Sequence, residues 1–204
     1  MLPRTQGVRL HPVFQIGKGR CFHHDHGQTG MTDSSAIQFK RISYERFLED
    51  IESIAQQLEA SRWRPDFIVG IGRGGLVPGT YLSHRTGLPL LSVDHSSKVH
   101  EFAEALLVHI ASCANRGERY LFVDDINDSG KTLAYLRSVV VDQGSADNVR
   151  FAVLIDNASS RERVDFAAQT IDRSTEKDWF IFPWGAVATR EAWLEDAQED
   201  PDRL

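Results

Sequence analysis

The chain has 204 residues, with 23 Lys+Arg against 29 Asp+Glu and a formal net charge of −6. That length suits one globular domain with a substantial core, and 41% hydrophobic with 25% charged residues excludes wholesale disorder, a collagen-like repeat and a disulfide-dense miniprotein. The acidic balance argues against nonspecific nucleic-acid binding, no apolar run reaches the ~18 to 20 residues of a membrane-spanning helix, and the two cysteines, Cys21 and Cys113, form no C-x-x-C pair.

Taken in chain order, residues 1–33 show scattered apolar residues, many glycines and no period, and are expected to be a poorly ordered N-terminal extension. The extension lacks the apolar core of a signal peptide, so a reducing, cytoplasmic location is expected. Met31 opens a more ordinary stretch and is an alternative start. His23, His24, Asp25 and His26 are metal-ligand types, but in an aperiodic leader a solvated polar run is the simpler reading. Residues 34–204 form the expected domain.

Tyr44, Phe47, Leu48, Ile51, Ile54, Ala55 and Leu58 recur at three- and four-residue steps, which predicts an amphipathic helix over 43 to 60 with Ser43 as N-cap. Asp66 to Ile71 is a short, continuously apolar strand of the kind found inside parallel sheets. A glycine-rich turn, Gly72-Arg73-Gly74-Gly75, leads to a helix ending near Arg85, then a strand from Pro89 to Val93. Phe102, Ala105, Leu106, His109, Ile110 and Cys113 give residues 98 to 115 a helical period, suited either to a packed core face or to a lid. A third strand, Tyr120 to Val123, runs into Asp124-Asp125-Ile-Asn-Asp128-Ser-Gly-Lys-Thr132. A helix from Thr132 to about Asp142, a strand from Phe151 to Ile155, a strand at Trp179 to Phe182 and a short helix near Thr189 to Asp196 complete the pattern. Alternating strands and helices imply an α/β fold with a parallel sheet and right-handed crossovers.

The segment from Tyr120 to Leu133 carries the strongest chemical signal. An apolar strand delivers two carboxylates, then a third, and turns through small residues into a helix. Backbone amides at such a turn, with the hydroxyls of Ser129 and Thr132, make a phosphate cradle. The upstream acids are placed to accept hydrogen bonds from sugar hydroxyls or to share a magnesium ion. Ser129-Gly-Lys-Thr132 imitates the end of a nucleotide-hydrolysing P-loop, but that motif needs glycine five positions before Gly130, where Asp125 stands. A carboxylate there repels a polyphosphate. Three acids also exceed what a helix cap requires.

Val123 to Leu133, VDDINDSGKTL, resembles the phosphoribosyl-pyrophosphate motif of type I phosphoribosyltransferases. Gly70 to Pro78, GIGRGGLVP, resembles the pyrophosphate loop of their purine-salvage members, and Asp178 to Trp184, DWFIFPW, resembles the purine-binding strand of bacterial and archaeal xanthine-guanine and hypoxanthine-guanine enzymes. The resemblance implies a single domain with a twisted, mainly parallel sheet flanked by helices and a small C-terminal hood. It implies Mg2+-dependent transfer of a phosphoribosyl group from phosphoribosyl pyrophosphate to a purine base, in an enzyme that assembles as a dimer or tetramer.

By the same resemblance, Asp124 and Asp125 address the ribose hydroxyls and the metal, Asp125 foremost. Asp128 is the general base near the purine, and Ser129, Gly130, Lys131 and Thr132 hold the 5′-phosphate. Gly72, Arg73 and Gly74 grip pyrophosphate, Arg73 neutralising the leaving group, and a non-proline cis peptide is expected before Arg73. Trp179 stacks on the base, and the Phe180 carbonyl accepts from an exocyclic amine. Two departures stand out. Where the 6-oxopurine enzymes place a lysine after the fourth strand, this chain has Asp156-Asn157, which makes an aminopurine or a modified base an alternative substrate. Gly185 stands where an acidic residue commonly follows Pro-Trp. A phosphoribosyltransferase for a different base, and a non-catalytic sensor of phosphoribosyl pyrophosphate, are the rival readings.

Overall fold

The computed structural model describes residues 37–94, 100–141 and 146–199, which fall within one unit, Ala36–Leu204. The expectations for the extension at 1–33, the histidine cluster and the start at Met31 lie outside the described residues.

The elements in order are β1 (Phe39–Arg41), α1 (Tyr44–Ala60), β2 (Phe67–Ile71), α2 (Gly72–Thr86), β3 (Leu90–Val93), α3 (His100–Asn115), β4 (Tyr120–Asn127), α4 (Lys131–Val140), β5 (Val149–Asn157), β6 (Phe166–Ile171), β7 (Trp179–Ile181) and α5 (Arg190–Glu199). Helix α1 starts where its cap predicts: the Arg46 amide donates to Ser43 Oγ at 3.1 Å. Phe47, Ile51, Ile54, Ala55 and Leu58 are buried, whereas Tyr44 and Leu48, expected on the same face, are exposed at its edge.

The main sheet has the order β3-β2-β4-β5-β6, and every pairing in it is parallel. Because side chains alternate between faces, a continuously apolar strand feeds two cores. On β4, Tyr120 and Phe122 join Leu107, Ile110, Leu133 and Leu136 of α3 and α4. Leu121 and Val123 join Ile54 and Leu82 of α1 and α2 on the other face. The C-terminal half of α3 is thus a core helix rather than a lid. No described helix is long and apolar enough to cross a membrane.

Two strands were not foreseen. β6 reads Phe-Ala-Ala-Gln-Thr-Ile, with Ala-Ala-Gln interrupting its strand-forming residues, and pairs in parallel with β5. β1 pairs in parallel with β7, with Phe39 opposite Trp179 and Arg41 opposite Ile181. The expected C-terminal hood therefore includes a strand from the other end of the domain. A 3-10 turn (Pro183–Val187) and α5 complete it.

Candidate active site

A parallel sheet opens a crevice at the carboxyl ends of two strands whose connections run in opposite directions. Here that point lies between β2, which connects outward to β3, and β4, which continues toward β5 and β6. β4 reaches it carrying Asp124 and Asp125, both half-buried. The Asp125 amide donates to Asp124 Oδ1 at 3.0 Å.

The glycines of the preceding motif let α2 approach these acids. A Cβ at Gly75 would stand 2.0 Å from the Val123 carbonyl oxygen, so no larger residue allows the first turn of α2 to lie on β4. A Cβ at Gly74 would stand 2.6 Å from Asp125 Oδ2. The helix start and the acidic pair are therefore adjacent. The expected cis peptide before Arg73 is not found: the described residues contain no cis bond, and the chain turns at Gly72 with φ +53°. Helix α2 follows β2 without an intervening loop, and glycine's freedom at positive φ supplies the change of direction.

Above this floor lies a cavity of about 680 Å3, within the range usual for small-molecule sites. Gly72, Arg73, Gly74, Asp124, Asp125 and Thr132 border it from below. Trp179 and Phe180 of β7 border it from the hood. Two hood aromatics that the sequence reading did not single out, Trp184 and Trp193, also border it. Trp184 is fixed by stacking on Phe182 at 4.8 Å between ring centroids, and the Trp193 indole donates to the Gly185 carbonyl at 3.0 Å.

Two further aspartates were missed, Asp94 just past β3 and Asp196 on α5. Asp94 had a signal, since it ends a strand at the same edge of the sheet as the acidic pair. Asp196 had none, because its place depends on how α5 packs. Among the described residues at the cavity, four aspartates face the single cation Arg73.

Other expected site residues are placed differently. Asp128 is 4% exposed and does not border the cavity. Its carboxylate receives Arg173 Nε at 3.0 and 3.1 Å and Arg173 Nη2 at 2.7 Å. The carboxylate expected to act as general base is thus engaged by a buried guanidinium. Asp156 accepts from Asn127 Nδ2 at 2.7 Å, and Asn157 donates to the Asp128 carbonyl at 3.0 Å. Neither is among the residues bordering the cavity, and their hydrogen bonds join the ends of β4 and β5.

Of the turn into α4, Thr132 borders the cavity, and Ser129, Gly130 and Lys131 lead up to it. Gly130 has φ +84°, and a Cβ there would stand 2.9 Å from both the Glu162 amide and Ser160 Oγ. The segment after β5 thus leans on the turn, held by Arg137 of α4 through Glu162 at 3.1 Å and the Arg163 carbonyl at 2.6 Å.

Open parallel sheets bind their ligands in the crevice beyond the carboxyl ends of the strands, and the cavity falls at that place. The model of the phosphoribosyl transferase domain family matches residues 42–188. The chain belongs to that family and is a phosphoribosyltransferase. Among solved structures it is similar to a purine phosphoribosyltransferase from Pyrococcus horikoshii, at 23% identity over 74% of this chain and 97% of that one, with a TM-score of 0.54. The xanthine-guanine-hypoxanthine phosphoribosyltransferase of Helicobacter pylori is similar at 22% identity over 79% and 99%, TM-score 0.54. A hypothetical protein from Neisseria gonorrhoeae with bound ppGpp is similar at 18% identity over 80% and 97%, TM-score 0.58. At these identities the likeness is one of fold.

Proposed function

We propose that the protein transfers the 5-phosphoribosyl group from phosphoribosyl pyrophosphate to a nitrogen of a purine base. The observation that carries this reading is one cavity in which the acidic pair, the glycine-opened start of α2 and the aromatic rings of β7 all meet. Asp124 and Asp125 accept hydrogen bonds from the ribose hydroxyls. Gly72, Arg73 and Gly74 hold the pyrophosphate, and the turn from Ser129 to Thr132 holds the 5′-phosphate at the cavity's edge. Trp179 stacks on the base. The names of two similar structures, both purine enzymes, support the choice of base.

In the reaction, the bond from C1′ to the pyrophosphate oxygen breaks and its electron pair leaves with pyrophosphate. The base nitrogen bonds to C1′ and loses its proton to water, since Asp128 is paired with Arg173. The protein's part is alignment of the two reactants and neutralisation of the leaving group, to which Arg73 contributes.

Magnesium fits the residues present. Asp124 and Asp125 offer hard oxygen donors side by side at the cavity. That pattern suits an ion that completes its shell with water and substrate phosphates. When bound, magnesium supplies positive charge to the departing pyrophosphate.

The test is pyrophosphate release from phosphoribosyl pyrophosphate and Mg2+ with hypoxanthine, guanine, xanthine, adenine and, as controls, uracil and orotate. Release with at least one purine, abolished by chelation, is expected. Release with a pyrimidine alone contradicts the purine assignment, and tight binding without release for any base contradicts turnover.

A further inference from the structure

Arg173 makes no contact with the cavity, yet it joins the two parts that border it. Its side chain is buried, with the whole residue 8% exposed. One side of the guanidinium forms the two-pronged pair with Asp128, directly after β4. The remaining nitrogen, Nη1, donates to the Asp178 carbonyl at 2.7 Å and the Glu176 carbonyl at 3.2 Å. Asp178 immediately precedes Trp179. The guanidinium carbon also lies 5.1 Å from the centre of the Phe180 ring, and its backbone amide donates to Asn157 Oδ1 at 3.4 Å.

A buried ion pair recovers its desolvation cost only through such complete hydrogen bonding, and replacement by packed apolar residues is often no less stable. Stability alone is therefore a weak reason for this pair. What the guanidinium's planar fork supplies is direction: it fixes a carboxylate on one edge and carbonyls on another. We infer that Arg173, acting with Asp128, is a positioning residue that sets the aromatic base wall, Trp179 and Phe180, at a fixed separation from the sugar-phosphate floor. This rests on the proposed transfer to a base. Asp128 then serves the reaction through Arg173 and does not touch the reacting atoms.

The test uses the full-length protein and Arg173→Lys, which keeps the charge and loses the fork. The base KM is expected to rise about tenfold with a fall in kcat, while phosphoribosyl pyrophosphate affinity by calorimetry changes less than about twofold, because misplacement of one reactant costs alignment and not binding of the other. Hydrogen exchange should speed up at the amides of residues 179–181 and stay unchanged across β4. If Arg173→Lys does not fold, the pair Asp128→Asn/Arg173→Gln, which leaves no orphan charge, is read in the same way. Wild-type base KM and kcat overturn the inference, as do equal losses for both substrates in step with the unfolded fraction. If the wild-type protein turns over no base, the functional reading fails, and the exchange measurement still decides the positioning role.

Discussion

The floor of the cavity is held by central strands of the sheet, whereas its hood is gathered from the two ends of the described chain. Beneath Asp124 and Asp125, Leu121 and Val123 are completely buried between neighbouring strands. In the hood, three residues of β1 pair with three of β7, Trp179 and Phe180 are half-buried, and Val187 at the rim is 92% exposed. The floor's geometry is thus set by backbone pairing. The hood depends on side chains, among them Arg173, to keep its place. This division suits a reaction in which one reactant, the activated sugar phosphate, must be held still while the identity of the other is read by a separate wall.

The two regions should respond differently to substitution. The largest effect is expected on the floor: Asp125→Ala should lower kcat/KM about 10²- to 10³-fold, the scale of losing one preorganised electrostatic group, with the unfolding midpoint in urea nearly unchanged. Where floor meets hood, Asp128→Ala should cost about 3 to 5 kcal/mol of stability in urea unfolding, because Arg173 is left buried without its counter-charge. A variant that loses activity at full stability would instead restore Asp128 to the reacting atoms.

In the hood itself, Trp179→Ala should weaken base binding by about 1 to 3 kcal/mol, the range for loss of a stacking ring, and leave the affinity for phosphoribosyl pyrophosphate unchanged. Equal weakening of both would break the division of labour.

The smallest effect lies away from both regions. Hydrogen bonds from Arg85 hold the Glu52 carboxyl down from 4.5 to about 2. A depressed carboxyl contributes stability above its unfolded value and loses it as pH falls toward the folded one. Glu52→Gln should therefore slightly flatten the loss of thermal stability between pH 4.5 and pH 2. High salt should erase the difference, because the pair is exposed, and activity should not change. A Glu52→Gln effect on either substrate would mean that the α1–α2 surface is coupled to the cavity.

The floor was legible because its chemistry is contiguous in sequence. One stretch, Val123 to Leu133, contains the acids, the turn and the helix start, and the glycines after β2 announce a close approach. The cap at Ser43 and the apolar strands were legible for the same local reason. The hood was legible only as separate pieces. β1 meets β7 at a separation of 140 positions in every pair and has no apolar run of its own, and Asp196 borders the cavity only once α5 has packed.

Three expected site residues have partners that the local motif does not show. Asp128, Asp156 and Asn157 look chemically available until their partners arrive from elsewhere: Arg173 reaches Asp128 from 45 residues away, and Asn127 reaches Asp156 from 29. A local motif shows which carboxylates stand at a strand end but not which of them a distant cation will claim.

The most direct test of the account is a crystal structure with a purine nucleoside monophosphate and Mg2+ bound. The account predicts ribose hydroxyls on Asp124 and Asp125, the purine against Trp179, and Arg173 still joining Asp128 to the Asp178 carbonyl. A nucleotide bound elsewhere, or one lying in the cavity without touching Asp124 or Asp125, would contradict it.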